Sequence, residues 1–286
     1  MIHISDNPFE IRTLLQKEYC SGLKIGFVPT MGALHDGHAS LIARSAAEND
    51  ITVVSIFVNP TQFGPNEDLD KYPRTLDSDV AICEANGATH VFTPTEAMMY
   101  PEGKENFEVM MHLRGMDKVL CGAKRPGHFD GVLLIVSRLF NIIQPTRAYF
   151  GMKDFQQLSI LQTLGRELFF PIEIVPCPII REEDGLAMSS RNRFLNTEER
   201  KQSLFLSTAI SKMKAAAQPG MKADEILKIA FDMVPSYSEI RPDYIEIRRA
   251  KDLKLVEVID PADEPRIFVA AFCGVTRLID NQPLLD

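Results

Sequence analysis

Apolar and polar positions along the chain change period repeatedly, and each change marks an element. Ile11, Leu14 and Leu15 make a helical stripe behind Asn7-Pro8, a cap followed by a first-turn proline, and the stripe stops by Gly22. Lys24–Val28 is a short apolar run closed by Pro29, which reads as a buried strand. Leu41, Ile42 and Ala46 among polar neighbours predict a helix from near Gly37 or His38 to Asn49. Ile51–Val58 is continuous and β-branched, the pattern of a central strand covered on both faces. A helix over Thr75–Asn86, closed by Gly87, and a short strand at His90–Phe92 follow. Phe107–Leu113 reads as a further strand, Gly122–Gly131 as a polar surface loop entering a site, and Val132–Ile143 as a buried helix. Ala148–Gly151 is strand-like, Asp154–Phe169 carries a helical stripe at Leu158, Leu161 and Leu164, and Ile172–Val175 is strand-like again.

Alternation of strand and helix predicts an α/β fold with a doubly wound, parallel, Rossmann-like sheet. From Arg181 to Arg193 the chain turns polar, and the domain boundary is set there. Residues 1–183 then form the Rossmann-like domain and residues 184–286 a smaller C-terminal α+β domain. The latter is expected to hold helices at Thr197–Ala217 and Ala223–Met233 and strands at Tyr244–Arg248, Ile267–Phe272 and Thr276–Ile279.

Composition narrows the function classes. A chain of 286 residues can bury one sizeable core plus a smaller one. A formal net charge of -8 and a pI near 5.4 argue against an extended nucleic-acid-binding face. No apolar run approaches membrane-spanning length, and the start at Met1–Asp6 lacks a basic segment followed by an apolar one. Cys20, Cys83, Cys121, Cys177 and Cys273 are scattered, odd in number and without a C-x-x-C pair, which suits thiols in a reducing compartment. A cytoplasmic protein without nucleic-acid or membrane partners is expected.

Candidate chemistry concentrates at four places. Between the Lys24–Val28 strand and the helix behind it, His35 and His38 flank Gly37 in a tight turn. A helix N-terminus with two imidazoles and a close-approaching glycine is suited to phosphate. Two zinc ligands, or loop histidines without chemistry, are the competing readings, and no third ligand stands at a convincing spacing. Gly151 to Gln157 is a second strand-to-helix turn, where Lys153 supplies a point charge and Asp154 can hold Mg²⁺ or merely cap the helix. Met188-Ser189-Ser190-Arg191 puts two hydroxyls and a guanidinium on the polar junction, able to grip phosphate. Phe57–Phe63 ends the central strand with Asn59 and Gln62, neutral amides that suit a hydroxy acid, and Gln157 can face them. Tyr72–Leu76 and Arg125–His128 can reach the same region, but spacing assigns them no role.

Pro29 to His38 resembles the signature of the pantothenate synthetase (pantoate–β-alanine ligase) family, within the HxGH nucleotidylyltransferase group. The resemblance extends through Phe57–Gln62, Tyr72–Thr75, Arg125–Phe129, Gly151–Gln157 and Asp184–Asn192; one departure is Met152, where the family commonly has Glu. It implies ATP-dependent condensation of (R)-pantoate with β-alanine through pantoyl adenylate, giving pantothenate (a coenzyme A precursor), AMP and pyrophosphate. It further implies catalytic roles for His35, His38, Lys153, Ser189, Ser190 and Arg191. ATP would be lined by Met31, Gly32, Ala33, Leu34, His35, Asp36, Gly37, His38, Gly151, Met152, Lys153, Asp154, Ile180, Met188, Ser189, Ser190 and Arg191. Gln62 and Gln157 would bind pantoate, Gln62 also β-alanine, and Asp154 Mg²⁺; the smaller domain would act as a lid and the protein as a homodimer. Another HxGH nucleotidylyltransferase would want extra Arg or Lys in the acceptor pocket, where this chain has amides. A synthetase-like RNA-binding module is disfavoured by the acidic balance and by the lack of room for an anticodon-binding domain.

Overall fold

The computed structural model describes residues 2–65, 67 and 69–285. The chain forms two compact units, Met1–Met152 with Ile160–Pro178, and Lys153–Ser159 with Ile179–Asp286. The division read at 183/184 falls inside the second unit; as a statement about folding domains it stays a proposal.

The first unit runs β1 (His3–Ser5), α1 (Pro8–Cys20), β2 (Ile25–Thr30), α2 (Asp36–Glu48), β3 (Ile51–Ile56), α3 (Leu76–Ala85), β4 (His90–Phe92), α4 (Glu96–Met99), α5 (Leu120–Lys124), α6 (His128–Ile143), β5 (Arg147–Gly151) and β6 (Glu173–Cys177), with α7 (Phe155–Glu167) preceding β6. All six strands are parallel, in the order β1-β4-β3-β2-β5-β6. Asn7 caps α1 by accepting from the backbone N–H groups of Phe9 and Glu10, as its position before Pro8 predicts. Strand alternation decides which face each residue serves. Phe27 meets Phe140 of α6 edge-on, while Val28 joins Leu41 and Ile42 of α2 in a core on the other face. Helices therefore cover both faces, which is why β2 and β3 read as unbroken apolar runs. Each fully buried Val, Leu, Ile or Phe in such a core contributes about 1.5–3 kcal/mol.

Three local expectations need correction, and one strand is unexpected. Phe107–Leu113 is not a strand: β-propensity makes no strand without a hydrogen-bonding neighbour, and none pairs with it among the described residues. Gly122–Gly131 is not a continuous loop, because α5 ends at Lys124 and α6 already begins at His128. The helix expected over Thr197–Ala217 is broken in two. Ser203, fully buried, returns its hydroxyl to the carbonyl of Arg200 and the chain restarts at Phe205. His3–Ser5 adds an edge strand too short to carry a pattern.

The second unit contains the start of α7, then α8 (Thr197–Gln202), α9 (Phe205–Ala216), α10 (Ala223–Met233), β7 (Ile240–Arg249), β8 (Pro265–Cys273) and β9 (Thr276–Pro283). The strands form one antiparallel sheet in the order β7-β8-β9. Ile245, Ile247, Ile267, Val269 and Ala271 share its apolar face and pack with Phe205, Ile210, Met213 and Ile226 of the helices. This is the α+β arrangement the sequence predicts.

Candidate active site

The strand order reverses at β2. The chain leaves β2 for β3 on one side, whereas β5 and β6 lie on the other, so the carboxyl ends of β2 and β5 flank a topological switch point. Met31–His35 follows β2 there, and Gly151 ends β5. His35 is the N-cap of α2, with its Nδ1 accepting from Gly37 N–H at 3.1 Å. His38 Nδ1 accepts from the His35 N–H at 3.3 Å, so two imidazoles form a reciprocal capping box. Their ring centroids lie 4.1 Å apart. With each Nδ1 accepting, each neutral ring carries its proton on Nε2. The turn thus offers two Nε2–H donors at the positive end of a helix, an arrangement that favours an anion.

The backbone ahead of His35 is unusual. Gly32 has φ +85° and Ala33 φ +51°, a left-handed conformation in a residue with a side chain. Gly32 N–H donates to Thr30 Oγ1 at 3.2 Å, and that hydroxyl donates to the Ser55 carbonyl at 2.7 Å. The next two N–H groups, of Ala33 and Leu34, donate to Asp79 of α3 at 3.0 and 2.8 Å. Asp79 is 1% exposed and also accepts from Thr75 Oγ1 at 3.2 Å.

Gln62 is buried in the same unit. Its Nε2 donates to the Met31 sulfur at 2.9 Å, and its Oε1 accepts from Asn59 Nδ2 at 3.2 Å. Asn59 donates as well to the Gly131 carbonyl and accepts from Tyr100 Oη at 2.6 Å. Gly131 is required here, because a Cβ would stand 2.4 Å from the Thr61 carbonyl oxygen. His128 Nδ1 donates to the Gln62 carbonyl at 2.8 Å, and its Nε2 faces Arg125 at 3.1 Å. Arg125 in turn forms a two-bond pair with Glu67. Burial pushes the Glu67 carboxyl up, but Arg125 and the Gly64 N–H outweigh it and hold the group below the usual carboxylate range. The Arg125–His128 segment thus has a role that spacing could not assign: it fixes the backbone of Gln62.

Met152 closes the first unit's leading segment, and the other expected residues belong to the second unit. Lys153 Nζ stands 3.8 Å from Asp154, whose carboxylate is half exposed, and Gln157 is half-buried in the first turn of α7. Ile180 and Met188 are brought together: Met188 N–H donates to the Ile180 carbonyl at 3.0 Å in a hairpin turned at Gly185. Arg181 anchors this hairpin by two bonds to the buried Asp280, at 2.7 and 2.9 Å. Ser189 follows directly and accepts from the Arg191 N–H at 3.3 Å, opening a short 3-10 helix from Ser190 to Phe194. The polar junction is therefore an ordered hairpin. Among the described residues no group of three or more His, Cys, Asp or Glu is placed to hold a metal ion.

Sequence reasoning missed Asp79, Tyr100, Asp280 and Asn281. Asp79 has the pattern of a solvated first-turn acid, and only packing of α3 reveals its burial.

Comparison with known proteins adds to this geometry. A family model described as pantoate-beta-alanine ligase matches residues 3–283. The chain is 44% identical over 282 residues to a pantothenate synthetase of a Sulfurihydrogenibium species, covering 98% of this chain and 99% of that one. A crystal structure of pantothenate synthetase from Thermus thermophilus superposes with a TM-score of 0.92 at 40% identity over the whole of both chains. The pantoate-beta-alanine ligase of Francisella tularensis, crystallised with beta-gamma ATP and beta-alanine, gives a TM-score of 0.81 at 33% identity, covering 99% of this chain and 98% of that one.

Proposed function

The chain belongs to the pantoate–β-alanine ligase family, and we propose that it makes pantothenate by activating pantoate as its adenylate and then passing the acyl group to β-alanine. A carboxylate is a poor electrophile, since its leaving group would be oxide. In the first step a pantoate carboxylate oxygen attacks the α-phosphorus of ATP, the bond to the bridging oxygen breaks, and pyrophosphate leaves. In the second, the β-alanine nitrogen attacks the acyl carbon of the mixed anhydride, AMP departs, and the nitrogen loses its proton.

The observation that carries this reading is the imidazole pair on the α2 N-terminus. The first step forms no covalent enzyme intermediate, so catalysis is positioning plus charge stabilisation. Both Nδ1 atoms are engaged by backbone N–H groups, which aims the Nε2–H donors of His35 and His38 at the reacting phosphates. Lys153 and Arg191 neutralise the phosphate charge, and the Ser189 and Ser190 hydroxyls donate to its oxygens. Met31–His38, Gly151–Asp154, Ile180 and Met188 line ATP. Gln62 and Gln157 hold pantoate, and Gln62 meets β-alanine as well. Among the described residues the Gln62 amide donates to a thioether, a weak acceptor that a hydroxyl or carboxylate oxygen readily replaces. Asp154 fits Mg²⁺ in the mode where the protein supplies one exposed carboxylate and substrate phosphates supply the rest. When bound, the ion neutralises phosphate charge.

A homodimer is part of the proposal. Val109 and Met110 are 64% and 59% exposed on a segment without regular secondary structure and with no strand neighbour among the described residues. A cytoplasmic location is supported by the free thiols of Cys20, Cys83, Cys177 and Cys273. No described helix is long and apolar enough to cross a membrane.

Isotope exchange tests the mechanism. Labelled pyrophosphate should enter ATP with pantoate present and β-alanine absent, and omitting pantoate should abolish exchange. Release of ADP, or exchange only after β-alanine is added, would contradict the adenylate.

A further inference from the structure

Asp79 is a buried carboxylate that the reaction above does not use. It lies on α3, 46 and 45 residues along the chain from its backbone partners Ala33 and Leu34. Three donors converge on its two oxygens: Ala33 N–H on Oδ2, and Leu34 N–H and Thr75 Oγ1 on Oδ1. Only a carboxylate presents acceptors in both directions at this length; an asparagine would turn an NH₂ toward one of the N–H groups.

What these bonds hold is strained. Ala33 sits at φ +51°, where a Cβ crowds the following carbonyl, and Gly32 at φ +85°. A Cβ on Gly32 would meet Asp79 Oδ2 at 3.0 Å and Ile56 Cγ2 at 3.1 Å, so the carboxylate also fills the inside of the turn. Leu34, the residue that leads into His35, is buried in the sheet core. Without Asp79 the turn would leave two N–H groups buried and unpaired, and it would relax away from the left-handed region. Such relaxation moves the His35 N–H that His38 Nδ1 receives, and with it the whole capping box.

The geometry points to Asp79 as a positioning residue for His35 and His38, holding the left-handed turn that aims both imidazoles. This rests on the adenylate-forming reading. Asp79 is not among the residues proposed to contact ATP or pantoate, so it acts through the turn it holds, chiefly on the rate of activation by way of His35 and His38.

Asp79→Asn should lower kcat for the full reaction and for pyrophosphate exchange alike, by about ten-fold or more, with KM for pantoate little changed and any rise in KM for ATP smaller than the fall in kcat. The ¹⁵N shifts of the two imidazoles should move away from the Nε2–H tautomer signature. Ala33→Gly placed in the Asp79→Asn background should return part of the lost kcat, because glycine adopts the positive φ without help. A carboxylate that only stabilises α3 would give no such rescue, and that result overturns the assignment, as does wild-type kcat in Asp79→Asn. Should Asp79→Asn not fold, Thr75→Val removes one donor and should give a smaller loss of kcat with KM for pantoate unchanged; unchanged kcat there is equally fatal. A wild-type protein that shows no exchange would instead overturn the adenylate reading, while imidazole shifts unmoved by Asp79→Asn would overturn the positioning role alone.

Discussion

Asn281 donates its side-chain amide to the carbonyl oxygen of Lys153 at 2.8 Å, tying the last strand of the antiparallel sheet to the turn ahead of α7. Asn281 is itself buried and accepts from Arg266 Nη1. The Arg266 guanidinium stacks 3.9 Å over the Phe155 ring, and burial pushes its pKa down to about 10. A buried cation, a buried amide and the backbone of the proposed phosphate lysine thus form one chain of contacts.

Two substitutions separate the stabilising part of this chain from the positioning part. Asn281→Ala leaves Arg266 without its acceptor and should cost about 1–3 kcal/mol in urea unfolding. Asn281→Asp keeps an acceptor for Arg266 but has no donor for the Lys153 carbonyl. Its buried ion pair with Arg266 offsets the cost of the stranded carbonyl, so it should unfold closer to the wild type than Asn281→Ala does and yet show turnover about ten-fold lower. Wild-type turnover in Asn281→Asp would show that Lys153 needs no such tether.

For the acid substrate, Gln62→Ala and Gln157→Ala should each raise KM for pantoate about ten-fold or more and leave KM for ATP nearly unchanged. Truncating either amide strands a polar group of a buried substrate, which typically costs about 1–3 kcal/mol. Weakened ATP with pantoate unaffected would put these residues in the wrong pocket.

How much of this was legible follows from where the information sits. The β2–α2 turn could be read directly, because strand, proline, glycine and histidines occupy one continuous stretch whose chemistry is local. The parallel sheet followed from the order of apolar runs. The roles of Asp79, Asn281 and Asp280 could not be read, since each depends on a partner tens of residues away and their own neighbourhoods look like exposed polar sequence. Phe107–Leu113 misled for the opposite reason: its residues favour strand, but a strand is made by a neighbour, and the described chain offers none. The Thr197–Ala217 pattern is continuous in period, and the break comes where the buried Ser203 turns its hydroxyl back to the Arg200 carbonyl, which periodicity does not register.

The Glu67–Arg125 pair predicts an acid limit. Its folded carboxyl lies below the ordinary value of 4.5, so the folded protein binds fewer protons there than the unfolded one. The stability it contributes is present above pH 4.5 and is lost as pH falls through the depressed folded value. Glu67→Gln should therefore unfold at lower temperature than the wild type near neutral pH, and the two melting temperatures should converge as pH drops below 4.5. Because Arg125 also supports His128 and the Gln62 carbonyl, KM for pantoate should rise in the same variant at neutral pH. A melting-temperature gap that widens toward acid would contradict this sign.

His38 does two jobs in this geometry, and three substitutions divide them. Its Nδ1 caps the His35 N–H, while its Nε2–H is the proposed donor to the phosphates. Asparagine places an oxygen where Nδ1 stands and nothing where Nε2 stands. Glutamine reaches the Nε2 position with an N–H but cannot also hold the cap. Alanine lacks both. His38→Asn should keep near wild-type stability, whereas His38→Ala and His38→Gln should each lose about 1 kcal/mol of helix capping. Pyrophosphate exchange should order differently. Both His38→Asn and His38→Ala should fall by about 10²–10³-fold, the usual cost of one charge-stabilising donor, and His38→Gln should recover part of that loss. All three should still bind ATP, whose proposed contacts are spread over several segments. Stability and exchange that fell in parallel across the series would reduce His38 to a cap. The crossed order, with asparagine stable but slow and glutamine less stable but faster, is the outcome expected of a histidine whose two nitrogens serve the backbone and the substrate separately.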